Sequence, residues 1–537
     1  MSPLFRRALV ASAVAVATSA AAVAVAGLAR PAAADDKARP GPGTIRHEVH
    51  HDTSAPLARM APVRPGGDDE GEQIRRMPNR GGTGADPVVQ RRAGTAIAAP
   101  TANFDGIGQG FVGPAGPFTV RFIPPDTNAA VGPTQIFEIV NTGFAVLSKT
   151  GRALFGPAAT NTLFSGFGGP CQTTNDGDGV VRYDTLAGRW VVTQFANAGS
   201  ATGPFFECVA VSRTSDATGA WNRYSFRYAS FPDYPKLSVW PDAYYVTYNL
   251  FGTDNSFRGA EICAMDRAAM LAGRAATQQC RTTSTSFGSL LAADVEGGTP
   301  PPAGEANTVV ALGTTATRLV FWKYHVDWAT PGRSTFTGPT NLTVAAYTTA
   351  CGASGTCIPQ KGVSRQLDSL SDRLMFRLAY RNFGDHESLV TNHAVTANGA
   401  VGVRWYELRM TAGSAPRVFQ QGTYAPDRTY RWMGSIAMDR AGNIGLGYSA
   451  SSSSINPQIR YTGRRAADPA GQMTQGEGVI VAGTGSQNGL SRWGDYSSMV
   501  VDPADGCTFW YAQEYLTTTG SRNWHTRLAS FILPGCR

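Results

Sequence analysis

Between Phe5 and Phe104 the sequence has no phenylalanine, tyrosine or tryptophan. A stretch of that length without aromatics cannot build an ordinary hydrophobic core of its own. Charged residues are scarce as well, at 16% of the chain, which argues against coiled coils and long amphipathic helices. Lysine almost disappears after residue 100, where only Lys149, Lys236, Lys323 and Lys361 remain, and the arginines there are scattered rather than run together. With a formal net charge of only +8, part of it in the first arginines, this is no nucleic-acid-binding surface. No cysteine pair has the CxxC spacing of a zinc knuckle, and there is no G-x-S-x-G elbow, P-loop or dinucleotide fingerprint.

What is present lies mostly beyond residue 100. Nearly all of the 25 Phe, 18 Tyr and 10 Trp fall there, punctuated by many of the 61 Gly and 33 Pro, which predicts an all-β chain rich in turns. Residues 1–34 read as an export signal: Arg6 and Arg7, an uncharged Ala/Val run from Ala8 to Leu28, then Ala32, Ala33 and Ala34 before Asp35. The expectation is cleavage there and a secreted, extracellular, monomeric product with no membrane attachment. Residues 35–100, rich in Pro, Gly and Arg, read as a disordered linker or pro-segment. His47-Glu48-Val49-His50-His51 satisfies H-E-x-x-H, but no helical period flanks it, so it is set aside as a zinc site. Export makes the eight cysteines disulfide partners, and neighbour pairing predicts Cys171–Cys208, Cys263–Cys280, Cys351–Cys357 and Cys507–Cys536.

Residues 101–537 carry a recurrence. A polar residue opens a short strand, a turn with Asp, Gly or Pro follows, and a β-branched or aromatic strand comes next. Seven copies open near Asp126 and Asn128, Asp176 and Asp178, Asp233 and Lys236, Asp294, Asp372 and Arg373, Arg431 and Trp432, and Arg492, Trp493 and Asp495. Copies are spaced like a four-stranded sheet plus loops, and seven such sheets arranged radially make a seven-bladed β-propeller. The fourth copy is irregular, so six or eight blades stay open, and two stacked β-sandwiches are the alternative.

The chain resembles a group of secreted bacterial β-propeller proteins at Pro125-Asp126-Thr127-Asn128-Ala129-Ala130-Val131-Gly132-Pro133, Asn175-Asp176-Gly177-Asp178, Asn382-Phe383-Gly384-Asp385-His386-Glu387-Ser388 and Trp493-Gly494-Asp495-Tyr496. The resemblance spans most of residues 101–537. It implies export and a propeller-like fold and carries over no catalytic residue. A weaker similarity to sialidases rests on Asp505-Gly506-Cys507-Thr508-Phe509, an echo of their Asp-box turn.

In a propeller the innermost strands line a central channel, so the residues that open them gather at one mouth. This gives Asp126, Asp178, Asp233, Asp372 and Asp495 as candidate catalytic carboxylates. Asn128, Asp176, Lys236, Asp294, Arg373, Arg431, Trp432, Arg492, Trp493 and Glu514 are candidate substrate contacts. Crowded carboxylates raise one another's pKa and can supply a general acid opposite a base or nucleophile, as glycosidic cleavage requires. The arginines suit a substrate carboxylate, and the tryptophans a sugar face. Any one such Asp can equally be a turn cap. Asp385 and His386 are adjacent along one strand and point to opposite faces, so they cannot form a triad with Ser388, although His386 and His393 could serve as bases. No metal or other cofactor is called for, although calcium would suit the turn Asn175–Asp178.

The reading is therefore a secreted glycoside hydrolase or polysaccharide lyase acting on an acidic glycan at the propeller's central funnel. Its alternative is a non-catalytic extracellular propeller that binds glycan or protein at the cell surface. The first expects an open, charged funnel; the second expects a plugged channel and exposed aromatic patches.

Overall fold

Four-stranded antiparallel sheets follow one another along the chain of the computed structural model, which describes residues 43–64, 75, 77, 84–95 and 97–536. The expected export signal lies outside the described residues. The innermost strands of the successive blades, numbered 1 to 7, are Asn128–Val131, Val180–Asp184, Phe231–Val239, Leu291–Val295, Leu378–Asn382, Tyr430–Met438 and Ser498–Val501. Each packs beside the next, and Ser498–Val501 packs against Asn128–Val131, so the cycle closes. That closed ring is a β-propeller, and it leaves no place for two stacked sandwiches. The ring is locked by Ala102–Asp105, which pairs with Trp524–Ile532 as the outer strand of blade 7.

Local sequence explains the blades. In blade 2, Tyr183 and Asp184 end the inner strand, and Asp184 accepts the N–H groups of Leu186 and Ala187 at 3.0 Å each. Gly188 then takes φ 66° and returns the chain into Arg189–Ala196. Both faces of a blade are covered by its neighbours. Trp190 of blade 2 meets Phe137 of blade 1, with ring centroids 6.2 Å apart, and Tyr461 of blade 6 meets Phe531 of blade 7 at 4.5 Å. A Cβ on Gly132 would stand 2.6 Å from the Trp190 ring, so a small residue is required where the blades approach. All four expected disulfides are formed.

One part of the expected linker differs from its sequence reading. Thr44–Thr53 is a strand held between the outermost strands of blades 2 and 3, Trp221–Tyr228 and Thr277–Thr282, and fuses both blades into one nine-stranded sheet. It needs no core because two blade edges supply its backbone partners. Asp52 forks onto Arg223 at 2.8 and 2.6 Å, and Arg46 reaches Glu261 at 3.0 Å. The H-E-x-x-H residues therefore lie along a strand, and Val89–Gln90 likewise pairs beside Thr423 and Tyr424 of blade 5.

Candidate functional site

The inner strands all begin at the same mouth of the channel, and a left-handed residue precedes most of them or sits at a bulge in their first half. Asp126, Asp178, Tyr234, Ser289, Leu370 and Met433 have φ between 39° and 56°. Each costs roughly 1 kcal/mol or more for a residue with a Cβ. Neighbouring blades hold these turns: Asn141 of blade 1 accepts the N–H of Asp178 at 2.9 Å, and Asn249 of blade 3 accepts that of Ser289 at 2.7 Å. Asp126 accepts the N–H of Asp495 at 2.6 Å and the amide of Asn141 at 3.0 Å, tying blades 1 and 7 together.

These turns bring Asp126, Asp178, Asp233, Lys236, Asp372, Arg373, Arg492, Asp495 and Glu514 into one charged cluster. Asp178 is pushed up to about 7, first by burial and then by the Asp233 and Asp495 carboxylates. Burial drives Lys236 down to about 7 against the pull of Asp178, Asp495 and Asp126. Its ammonium sits 3.2 Å from the centre of the Tyr234 ring and 4.0 Å from that of Tyr496, and donates to the Pro235 carbonyl at 2.9 Å. Burial also raises Glu514, which accepts the N–H of Gly494. Although Asp372 is pushed upward by burial, its ion pair with Arg373 at 2.8 Å holds it below the usual range.

Sequence reasoning missed a central member. Asp368 ends the hairpin Thr356–Gln360 and Val363–Asp368, an insertion between blades 4 and 5 with no counterpart in the repeat. It bonds Arg492 at 3.0 Å, while the same guanidinium reaches Asp495 at 2.6 Å. Burial, eased by Arg492, sets Asp368 at about 6. Two carboxylates thus stand one guanidinium's width apart.

Other predicted residues lie elsewhere. Asn128 spends its carbonyl on the N–H of Val181, bridging blades 1 and 2. Asp176 accepts the N–H of Ala198, and the neighbouring Asn175 accepts the N–H of Asn161 and donates to the Thr142 carbonyl. Arg431 turns outward to Glu477 at 2.7 Å and Asp427 at 2.9 Å. Trp432 and Trp493 are completely buried with their rings 5.9 Å apart, which makes them packing between blades rather than a sugar platform. His386 pairs with the exposed Asp385, and buried His393, driven down to about 3 by burial and Arg404, bonds the Tyr406 hydroxyl at 3.0 Å.

Asp294 belongs to a second layer farther down the channel. It takes Arg182 at 2.8 Å and Arg377 at 3.3 Å and accepts the N–H of Val239. Glu296 meets Arg377 and crosses to accept the N–H of Val501 in blade 7. The channel is therefore filled there, and the mouth cluster is itself covered: Asp178 is 2% and Arg492 5% exposed. Among the described residues there is no open funnel at this mouth. A polar cavity of about 600 Å³, lined by Thr356, Val363, Arg365, Gln366, Asn488 and Ser491 among others, lies beside the cluster. Ser491 of its lining adjoins the cluster: the Ser491 carbonyl accepts the N–H of Asp368, and Ser491 precedes Arg492.

No protein-family model matches the chain, and no curated protein matches it by sequence. Among solved structures it is similar to the Dos1 propeller, at 8% identity and a TM-score of 0.36 over 80% of this chain and 94% of that one. It is also similar to an α-L-arabinofuranosidase from Fusarium graminearum, at 9% identity and 0.35, covering 81% and 99%. A Trypanosoma rangeli sialidase variant with trans-sialidase activity gives 10% identity and 0.31, covering 75% and 59%. The propeller assignment above stands on the strand ring alone.

Proposed function

We propose that the protein is a secreted carbohydrate-active protein whose channel mouth handles an acidic glycan, with Asp368 as proton donor and Asp495 as the opposing carboxylate. The observation that carries this reading is the Asp368–Arg492–Asp495 group beside a polar cavity. A carboxyl that titrates near 6 is still partly protonated in mildly acidic to neutral water and can protonate a leaving oxygen. Two carboxylates held across one guanidinium suit the roughly 5–10 Å separation used by hydrolases. Asp178 and Lys236, both near 7, offer a second proton donor and acceptor, which a lyase would also need. Arg365, in the lining of the cavity, provides the charge for a substrate carboxylate, since Arg492 is held by Asp368 and Asp495. Four disulfides fit an oxidising, extracellular setting.

A second reading, a non-catalytic extracellular propeller, is favoured by the ion pairs that fill the channel below the mouth. Incubating the purified mature protein with acidic and neutral polysaccharides, and detecting new reducing ends and unsaturated products, separates the two. Products from an acidic polysaccharide support the enzyme. Binding by calorimetry without any product supports the second reading, and neither binding nor product overturns both.

A further inference from the structure

Arg75 and Met77 come from the stretch read as a spacer, yet they lie against the channel mouth. The Arg75 guanidinium donates to Asp233 at 3.0 Å and stands 4.5 Å from the centre of the Phe231 ring and 5.6 Å from that of Phe251. Its carbonyl accepts from Arg373 at 3.2 Å. Two residues on, the N–H of Met77 donates to Asp372 at 3.1 Å. Met77 is buried, in the same apolar cluster as Tyr234, Phe376 and Tyr496, and its sulfur occupies the space above Gly288, where a Cβ would stand 2.2 Å away.

Contacts of this kind let a protein read a peptide: one ion pair, Asp372–Arg373, reads a backbone N–H and C=O, and two pockets read the side chains of Arg75 and Met77. One pocket pairs a carboxylate with aromatic rings and selects a cation; the other is apolar with a glycine floor. We propose that this part of the mouth is a peptide-binding site for segments that present an arginine, any residue, then a methionine or similar apolar side chain, and that the chain's own Arg75–Met77 occupies it in cis. The proposal involves no catalysis and does not rest on the glycan reading. The two share Asp233, Asp372 and Arg373, so a peptide in this site covers part of the mouth.

The test uses the full chain and a fluorescein-labelled peptide with the sequence from Gly71 to Arg80, followed by anisotropy. A tethered segment acts at an effective concentration in about the millimolar range, so it shields the site from added peptide. The double variant R75A/M77A is expected to bind the peptide at least ~10-fold more tightly than the wild type. Adding D233N and D372N to it should abolish that gain, and a peptide with Glu in place of both Arg75 and Met77 should not bind. Should the double variant fold poorly, R75A alone is expected to show a smaller gain in the same direction. Equal affinity for wild type and variant, no binding to a variant with unchanged melting temperature, or equal binding of the Glu-containing peptide would each overturn the proposal.

Discussion

Asp368→Asn separates the electrostatics of the mouth from its shape. The carboxyl is buried and its pKa stands at about 6 instead of 3.8. A pKa raised on folding contributes stability that is fully present below the unfolded value and is lost as pH rises through the folded one. For Asp368 the window runs from about 4 to about 6. At about 1.4 kcal/mol per pH unit the gap amounts to about 3 kcal/mol, lost by the wild type across that window. Asn keeps the size of the side chain and an acceptor for Arg492 but does not titrate. Urea unfolding at half-unit steps from pH 3.5 to pH 8 should therefore give two profiles that diverge, with the difference in stability between variant and wild type shifting by about 3 kcal/mol in favour of the variant as pH rises. Profiles that stay parallel throughout would refute the argument that burial beside Arg492 tunes this carboxyl.

Three further outcomes follow from individual contacts. Trp493→Ala, which empties a fully buried site against Trp432, should cost about 3–5 kcal/mol in urea unfolding. Arg431→Ala removes the partner of Glu477 and Asp427, and should cost about 1.5–3 kcal/mol while leaving ligand affinity unchanged, because this arginine faces away from the mouth. Asp52→Ala breaks the fork onto Arg223, and should speed amide exchange across Thr44–Thr53 at least ~10-fold while the inner strands keep their protection.

The repeat was legible because its residues do the same job in successive blades. Asp126, Asp178, Asp233 and Asp495 meet at the mouth since each precedes or opens an inner strand, where the ring geometry gathers it. Register was the part that spacing alone could not supply. In the fourth blade the opening turn is at Ser289, so Asp294 falls within the strand and one layer deeper. In the sixth the left-handed residue is Met433, at the bulge in Tyr430–Met438, and Arg431, upstream of it, points outward. Neither Ser289 nor Met433 announces a left-handed turn by its residue type, so spacing had nothing to correct it in either blade. Asp368 left no trace because its hairpin stands outside the repeat. Arg75, Met77 and Thr44–Thr53 were hidden by their composition: a segment without aromatics shows no core of its own, but the blades and the mouth supply partners for all three.

The most direct test of the glycan reading measures turnover and binding of an acidic oligosaccharide by the wild type and by Asp368→Asn at pH 6, with melting temperature recorded on the same samples. The account predicts product formation by the wild type, loss of turnover in the variant by at least ~100-fold as expected for a missing general acid, and retained folding. Equal turnover by both proteins, or no interaction of the wild type with any acidic oligosaccharide, would contradict it.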